Sequence, residues 1–309
     1  MHASIGTFGK LRGQGDFLQA GNSGPLAQEL RQWVEAGLGR AVSRAGFTEA
    51  YDTRAPFAFV HRSRKPSPTS LLGVMLPSQD AVGRRFPLLA YAEIDTEPLH
   101  AFPHLVPLVY GSFFERLKQL LGEAWSHGSS AQYLAELGTL REPNVGVDIL
   151  GEAQRYTRWT QDCALEDALA WIYESVSGQE LAQVLGLIRS ASAAFRGQQA
   201  APTPVALRVP LGASGAGGAA LWLDLVRRIA EWSQMVPSCF WSVQPDSSEL
   251  LVQLGVTPPA TFGELWLRRA DSDHICDLTI PSAIRSTEPF ALEALQNPGC
   301  PVFELLCSL

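Results

Sequence analysis

The pattern of apolar residues in the first part of the chain predicts a short initial strand, then one amphipathic helix and then several short strands. Residues 22–42 place large apolar side chains at offsets that repeat along one face of a helix, and Pro25 is tolerated in a first turn. The apolar residues of this face are Leu26, Leu30, Trp33, Val34, Leu38 and Val42. Three short extended segments follow, at 57–61, 70–76 and 86–94.

These strands follow one another without a crossover helix, which favours antiparallel neighbours. A basic, proline-containing loop at 62–69 separates the first two, and two helical segments at 104–125 and 129–140 come after the third. We therefore expect an α+β fold, with a largely antiparallel sheet flanked by helices, and not a doubly wound parallel sheet.

The second part of the chain also combines helical and extended segments. Two helical segments at 163–176 and 178–195 lead to a polar linker at 196–204. The segments after the linker read strand, helix, strand and strand, at 204–211, 219–232, 238–243 and 248–255. This order resembles that of the first part, so we expect a second, α/β-type half of similar architecture. The predicted domains are 1–142 and a helical and α/β extension at 143–309.

The composition and net charge of the chain argue against several classes of protein. The chain has 309 residues, 46% of them apolar, and a net charge of -7, so its surface opposes wholesale binding to nucleic acid. No stretch reaches the roughly 18 uninterrupted apolar residues of a membrane span, and the first residues lack signal-peptide features. We expect a cytoplasmic protein without membrane insertion. Five scattered cysteines indicate reduced thiols, not a disulfide framework or a zinc site.

The stretch FGKLRGQGDF at 8–17 contains three glycines, two cations and one carboxylate between two phenylalanines. It fails the pattern of a Walker loop, because Leu11 stands where the hydroxyl residue after the lysine is required. Two interpretations stay open. Asp16 caps a tight turn by accepting backbone N–H bonds, or the stretch contacts a ligand directly.

The second stretch, GVMLPSQDAVGRRFPL at 73–88, joins two predicted strands through a connection of about ten residues, longer than a usual hairpin loop. Loops of this length often carry function. The alternative is that an ion pair between Asp80 and Arg84 merely orders the loop, at a gain of about 0–1 kcal/mol if exposed.

Together the two stretches resemble the TagF family, also called ImpM, of type VI secretion accessory proteins. The family pairs a G-K-x-P-x-x-G-D-F motif with a P-S-x-D-x-x-G-R-x-F-P-L motif, in the order and spacing seen here. The departure is Arg12, where the family usually has proline, so the first turn is expected to be looser. The matching residues are Gly9, Lys10, Gly15, Asp16 and Phe17 in the first motif, and Pro77, Ser78, Asp80, Gly83, Arg84, Phe86, Pro87 and Leu88 in the second.

The resemblance implies a non-enzymatic regulator that represses type VI secretion after translation by binding a forkhead-associated scaffold protein. It implies no metal and no cofactor. Some relatives are fused to a PP2C-type phosphatase, but the second part of this chain has no comparable array of Asp residues. Phosphatase activity is therefore not expected.

An alternative function is a nucleotide-binding enzyme or sensor that uses the glycine-rich loop at 212–220. A predicted strand precedes this loop and a helix follows it, and Gly215, Gly217 and Ala220 satisfy a relaxed dinucleotide pattern. The acidic partner should lie about 20 residues further on, and Asp246 comes too late. A flexible loop that enters a helix explains the pattern better.

We expect the two motif loops to converge at one edge of the sheet. In this hypothesis Asp16 and Asp80 accept hydrogen bonds and Lys10 and Arg84 donate them. The loops then form either a partner-binding surface or the buried polar brace that positions one.

Overall fold

The computed structural model describes residues 5–65, 67–127, 129–141, 143, 147–196, 204–232, 236–242, 248–268, 273–286 and 288–309. Their strands are β1 (Ile5–Lys10), β2 (Phe17–Gly21), β3 (Phe57–Arg62), β4 (Thr69–Leu76), β5 (Leu88–Asp95), β6 (Val205–Pro210), β7 (Ser238–Ser242), β8 (Glu249–Leu254) and β9 (Ile275–Asp277). Their helices are α1 (Pro25–Ala41), α2 (Phe47–Thr53), α3 (Val106–Val109), α4 (Gly111–His127), α5 (Ser130–Leu137), α6 (Ile149–Asp162), α7 (Leu165–Tyr173), α8 (Gly178–Ser192), α9 (Gly215–Ile229), α10 (Pro259–Leu267) and α11 (Val302–Ser308).

The chain divides into two compact units, and neither is continuous in sequence. Unit 1 comprises Met1–Thr96, Tyr110–Val147 and Thr257–Arg269. Unit 2 comprises Glu97–Val109, Asp148–Val256 and Ala270–Leu309. The two units differ from a division of the chain after residue 142 mainly in two segments. Residues 97–109 belong to unit 2, and residues 257–269 belong to unit 1.

In unit 1 five strands lie in the order β2-β1-β5-β4-β3, and every neighbouring pair is antiparallel. This confirms the predicted α+β class with a largely antiparallel arrangement. The prediction missed β2, whose five residues alternate between exposed and half-buried and show no apolar face. It also missed α2, which is only two turns long.

A helix from late in the sequence completes the core of unit 1. α10 packs along α1, where the indole of Trp33 donates a hydrogen bond to the Pro258 carbonyl at 3.0 Å. Gly37 of α1 permits this close approach, since a Cβ there would come within 2.3 Å of Phe262. One turn further along α10, Trp266 packs against Tyr51, with 4.5 Å between ring centroids. No sequence pattern near the N-terminus indicated this contribution.

In unit 2 four strands lie in the order β7-β8-β6-β9. β8 pairs antiparallel with both β7 and β6, and β6 pairs parallel with β9. The arrangement repeats that of unit 1, where β5 pairs antiparallel with both β4 and β1. In unit 2 helix α9 comes between β6 and β7, whereas in unit 1 β2 lies between β1 and α1, and β3 precedes β4. The two units therefore share the pairing of these three strands but not the full order of elements.

The described helices of both units are too short or too polar to cross a membrane. All five cysteines carry free thiols.

Candidate functional site

The two motif loops meet within unit 1. Loop A (11–16) joins β1 to β2, and loop B (77–87) joins β4 to β5. Ser78 donates its hydroxyl hydrogen to the Lys10 carbonyl at 2.5 Å, and the Ala81 N–H donates to the Gln14 carbonyl at 2.9 Å. The Arg84 guanidinium donates to the Gly15 carbonyl at 2.9 Å. The loops therefore converge, as the sequence predicts.

A buried ion pair lies at the centre of this contact. The ammonium of Lys10 is 2.7 Å from Oδ2 of Asp80, and the two residues are 6% and 2% exposed. Asp80 Oδ1 accepts hydrogen bonds from the backbone N–H groups of Val82 and Arg84 at 3.1 and 2.8 Å. Asp80 Oδ2 also accepts one from the Arg84 guanidinium at 2.6 Å. The carboxylate of Asp80 thus binds Lys10 at the end of β1 and also the backbone of the turn in loop B.

The electrostatics of Asp80 favour its ionised form. Burial alone raises the pKa of a carboxyl group, because it penalises the charged state. Here the hydrogen bonds from Lys10, Arg84 and Val82 outweigh burial and hold the pKa of Asp80 well below its ordinary value. Asp80 is therefore ionised at neutral pH, and the side chains of Lys10 and Arg84 lie against its carboxylate.

Tyr51 of α2 anchors the start of loop B. Its hydroxyl donates to the Ser78 carbonyl and accepts from the Ser78 N–H, both at 3.0 Å. Burial raises the pKa of Tyr51, so the hydroxyl keeps the proton that this pairing requires. Because Tyr51 also packs on Trp266, loop B is connected through one side chain to α10. Sequence reasoning missed Tyr51, since it lies in a helix that the pattern did not predict.

Two motif glycines have a conformational role. Gly9 has a φ of 138°, and a Cβ at this position would lie 2.1 Å from the Pro87 carbonyl oxygen. Gly83 turns loop B with a φ of 83°. A Cβ on Gly15 would meet nothing within 4 Å. Only the first two positions therefore need glycine for a local reason.

Aromatic residues in and beside the two motifs pack against one another next to the loops. Phe86 is buried and packs against Phe8 and Phe17, with centroid distances of 6.2 and 4.8 Å. The ammonium of Lys10 lies 5.2 Å from the centre of the Phe17 ring. Phe17 thus covers the ion pair with one face of its ring while remaining half exposed.

Three side chains of this region are largely exposed to solvent. Val82 is 73% exposed, Phe17 is 49% exposed and the side chain of Arg84 is 63% exposed. Exposed apolar residues beside a cation, held on fixed backbone, are a common feature of protein-binding surfaces. Arg12 lies close by on loop A, with its guanidinium 5.5 Å from the Trp125 ring centre.

Asp16 does not take the role expected for it. Its side chain is exposed, and it has no hydrogen bond or ion pair with any residue that the structure describes. The acceptors on loop A are instead the backbone carbonyls of Gln14 and Gly15. A backbone acceptor leaves no signature in the sequence, so residue types alone pointed to the wrong group.

The geometry gives little support to the nucleotide-binding alternative. In a dinucleotide-binding βαβ unit the strand before the loop and the strand after the helix lie side by side in parallel. Here β8 separates β6 from β7. Helix α9 already begins at Gly215, and the Ser214 hydroxyl donates back to the Leu211 carbonyl. Asp246, the acidic candidate, lies outside the described residues.

Metal ligands are likewise not gathered in one place. Within the ranges that the structure describes, no three His, Cys, Asp or Glu side chains are arranged to hold a metal ion. The motif loops contribute one buried carboxylate, and Lys10 and Arg84 already occupy it.

Comparison with solved structures finds similar folds. It is similar to the crystal structure of PA0076 from Pseudomonas aeruginosa PAO1, with a TM-score of 0.51 and 18% sequence identity. The match covers 87% of this chain and 96% of that one. At this identity the similarity concerns the fold alone.

The family follows from the sequence of unit 1. Residues 6–139 match the model of the TagF N-terminal domain, described as type VI secretion system-associated. The chain therefore carries a TagF N-terminal domain at these residues, and this domain is associated with type VI secretion. Both motif loops lie inside the matched range. A search of the curated proteins gives no match.

Proposed function

We propose that this protein is a cytoplasmic, non-enzymatic accessory regulator that represses type VI secretion by binding a forkhead-associated scaffold protein. The contact is made by the exposed side chains of loops A and B and by Phe17, the first residue of β2, with Val82, Phe17 and Arg84 at its centre. The TagF N-terminal domain at residues 6–139 supports a role in type VI secretion. The resemblance of the two motifs to those of the TagF family supports the role of repressor.

One observation carries the choice of surface. The most exposed large apolar side chain of unit 1, among the described residues, is Val82, and it lies on loop B, where Ser78 and Asp80 are buried. An ordered loop loses little conformational entropy when it binds, so such a loop is well suited to recognition. The Lys10–Asp80 pair is then the brace, and Val82 is part of the interface.

A variant at the exposed tip of loop B should lose scaffold binding without losing stability. Val82→Asp places a charge on the exposed tip of a turn, where Asp is well accepted, so the fold should be retained. Introducing a charge into an apolar contact should weaken scaffold binding at least about tenfold. Binding would be measured by calorimetry with the purified scaffold protein, and repression by secretion of a type VI substrate.

Val42→Asp is the matched control. Val42 is 54% exposed in the same unit, at the end of α1, and it is remote in sequence from both motif loops. We expect this variant to bind and repress as the wild type does. If Val82→Asp binds normally, or if both variants lose binding equally, loop B is not the interface.

A further inference from the structure

The side chain of Arg84 is held in one orientation although 63% of it is exposed. Its Nε atom donates a hydrogen bond to Asp80 Oδ2 at 2.6 Å, and its Nη2 atom donates to the Gly15 carbonyl at 2.9 Å. An exposed arginine usually samples many rotamers, so these hydrogen bonds to both loops restrict it. The guanidinium is therefore oriented before a partner arrives, and binding costs it little conformational entropy.

Most of the donors of this guanidinium remain open. An arginine has five N–H donors in a planar fork, and Arg84 uses two of them, one to each loop. Among the described residues no acceptor takes the other three, which include both N–H groups of Nη1. Two neighbouring donors of such a fork bind both oxygens of a carboxylate at once, a geometry that a lysine ammonium does not offer.

The charge around Arg84 is unbalanced. The Asp80 carboxylate contacts two cations, and one of them, Lys10, is buried, where an ammonium without a counter-ion would be costly. Asp80 is therefore needed by Lys10, and positive charge is left at the exposed Arg84. A cationic site on a chain with a net charge of -7 favours an acidic partner.

The residue types of the two loops agree with this local excess. The whole chain has 24 Lys and Arg against 31 Asp and Glu, whereas Lys10 and loops A and B together have four cations and two carboxylates. Arg85 is further paired with Asp52 of α2, at 2.6 Å. The four cations are Lys10, Arg12, Arg84 and Arg85, and the two carboxylates are Asp16 and Asp80.

Exposed apolar side chains lie near the guanidinium on both sides. Phe17 is two residues beyond Gly15, to which Arg84 binds, and its ring centre lies 5.2 Å from the ammonium of Lys10. Val82 is two residues before Arg84, in the turn that the Gly83 N–H closes on the Asp80 carbonyl at 3.0 Å. An anion bound at Arg84 is therefore close to apolar surface as well.

We propose that Arg84 binds one carboxylate group of the partner, and that an apolar side chain next to this carboxylate contacts Phe17 and Val82. The inference rests on the proposed function, because it names the chemistry that this surface recognises. One open guanidinium edge with one excess positive charge matches a carboxylate, whereas a phosphate group carries nearly two negative charges. Asp16, whose carboxylate is exposed and has no ion pair among the described residues, opposes the bound anion.

Arg84→Lys tests the fork. The lysine can still bind Asp80 and keeps the charge, so the Tm should stay within about 2 °C of the wild-type value. It cannot form a bidentate contact, so the dissociation constant for the purified scaffold protein should rise about tenfold in calorimetry. Arg40→Lys, at an exposed position in the last turn of α1, is the matched control and should bind as the wild type does.

Asp16→Asn gives a prediction of the opposite sign, which a damaged fold would not produce. The variant removes a negative charge beside the bound carboxylate, so the dissociation constant should fall about twofold. Raising the salt concentration from about 50 to about 300 mM should weaken scaffold binding by the wild type, because the attraction between the exposed charges is screened.

The partner side of the contact can be tested by coupling. Each exposed Asp and Glu of the scaffold protein is replaced by Asn or Gln, and binding is measured with the wild type and with Arg84→Gln. One replacement should lose binding with the wild type but cause no further loss with Arg84→Gln, since both changes remove the same contact.

The results distinguish this inference from the proposed function. If Val82→Asp loses binding but Arg84→Lys and Asp16→Asn bind as the wild type does, the surface is correct and the carboxylate contact is wrong. If Val82→Asp also binds normally, both are wrong. An absence of coupling at every scaffold carboxylate, or binding that requires a phosphorylated scaffold, would overturn the assignment of a carboxylate.

Discussion

Lys10 and Asp80 are separated by 70 positions in sequence, yet their charged atoms lie 2.7 Å apart in the interior of unit 1. Lys10 ends β1, and Asp80 lies in the connection between β4 and β5. The pair therefore joins two loops that the sheet order β1-β5-β4 brings to the same edge. Its role is to hold the backbone of both loops in one arrangement.

Asp80→Ala should destabilise the protein. The variant leaves the Lys10 ammonium buried without its counter-ion, and the N–H groups of Val82 and Arg84 lose their acceptor. We expect the Tm to fall by roughly 5 °C or more, measured by circular dichroism.

Asp16→Ala is the matched control for this variant. Asp16 belongs to the facing loop, but its carboxylate is exposed, so its loss should change the Tm by about 1 °C at most. An Asp80→Ala protein that melts with the wild type would show that the ion pair contributes little to the fold. The brace interpretation would then be wrong.

The protein should become less stable as the pH falls below neutral, and His61 should account for part of this loss. His61 of β3 is buried, and neither ring nitrogen has a hydrogen-bond partner in the described part of the chain. Burial, and then the charge of Arg64, lower the pKa of His61 to about 4. The ordinary value of a histidine is about 6.5, so between these values the unfolded state binds the proton and the folded state does not.

The free energy of unfolding should therefore decrease as pH falls from 7 to 5, by about 2 kcal/mol for this group. His61→Leu removes the titrating ring and should flatten the profile by that amount in urea titrations at the two pH values. His127→Gln, at an exposed position on α4, is the control and should preserve the wild-type pH dependence. An unchanged pH profile in His61→Leu would contradict the burial of a neutral ring.

Trp266 should be among the most sensitive core positions of unit 1, although it lies far from the TagF-matched residues in sequence. It is 1% exposed and packs against Tyr51, Phe57 and Phe262. Trp266→Ala should cost about 3–5 kcal/mol in the free energy of unfolding, measured by denaturant titration. Trp171→Ala removes an indole that is 47% exposed and should cost less than about 1 kcal/mol.

The same packing predicts how a fragment behaves. Residues 1–142 contain the matched domain but lack α10, so the fragment exposes the surface of α1 and Tyr51 that Trp266 and Phe262 cover. We expect it to aggregate or to melt without cooperativity, and to gain stability when residues 257–268 are attached through a flexible linker. A fragment that already melts cooperatively would show that α10 is dispensable for unit 1.

Local patterns identified the motif loops and much of the secondary structure. Periodicity located α1, β3, β4 and β5, because each has a continuous apolar face that needs no knowledge of its neighbours. It overlooked β2 and α2, which are short and depend on tertiary contacts. In the site, the residue types indicated Lys10, Asp80 and Arg84, but they assigned a pairing role to Asp16 that backbone carbonyls fill instead.

The sequence by itself determined the class of fold and the two loops that matter, since hydrophobic spacing, glycine, proline and charge act over a few residues. Only the tertiary structure decided which carboxylate is buried and which helix completes the first unit. Those outcomes depend on contacts between positions far apart in the chain. Burial and pairing are properties of such contacts, and no short stretch of residues contains them.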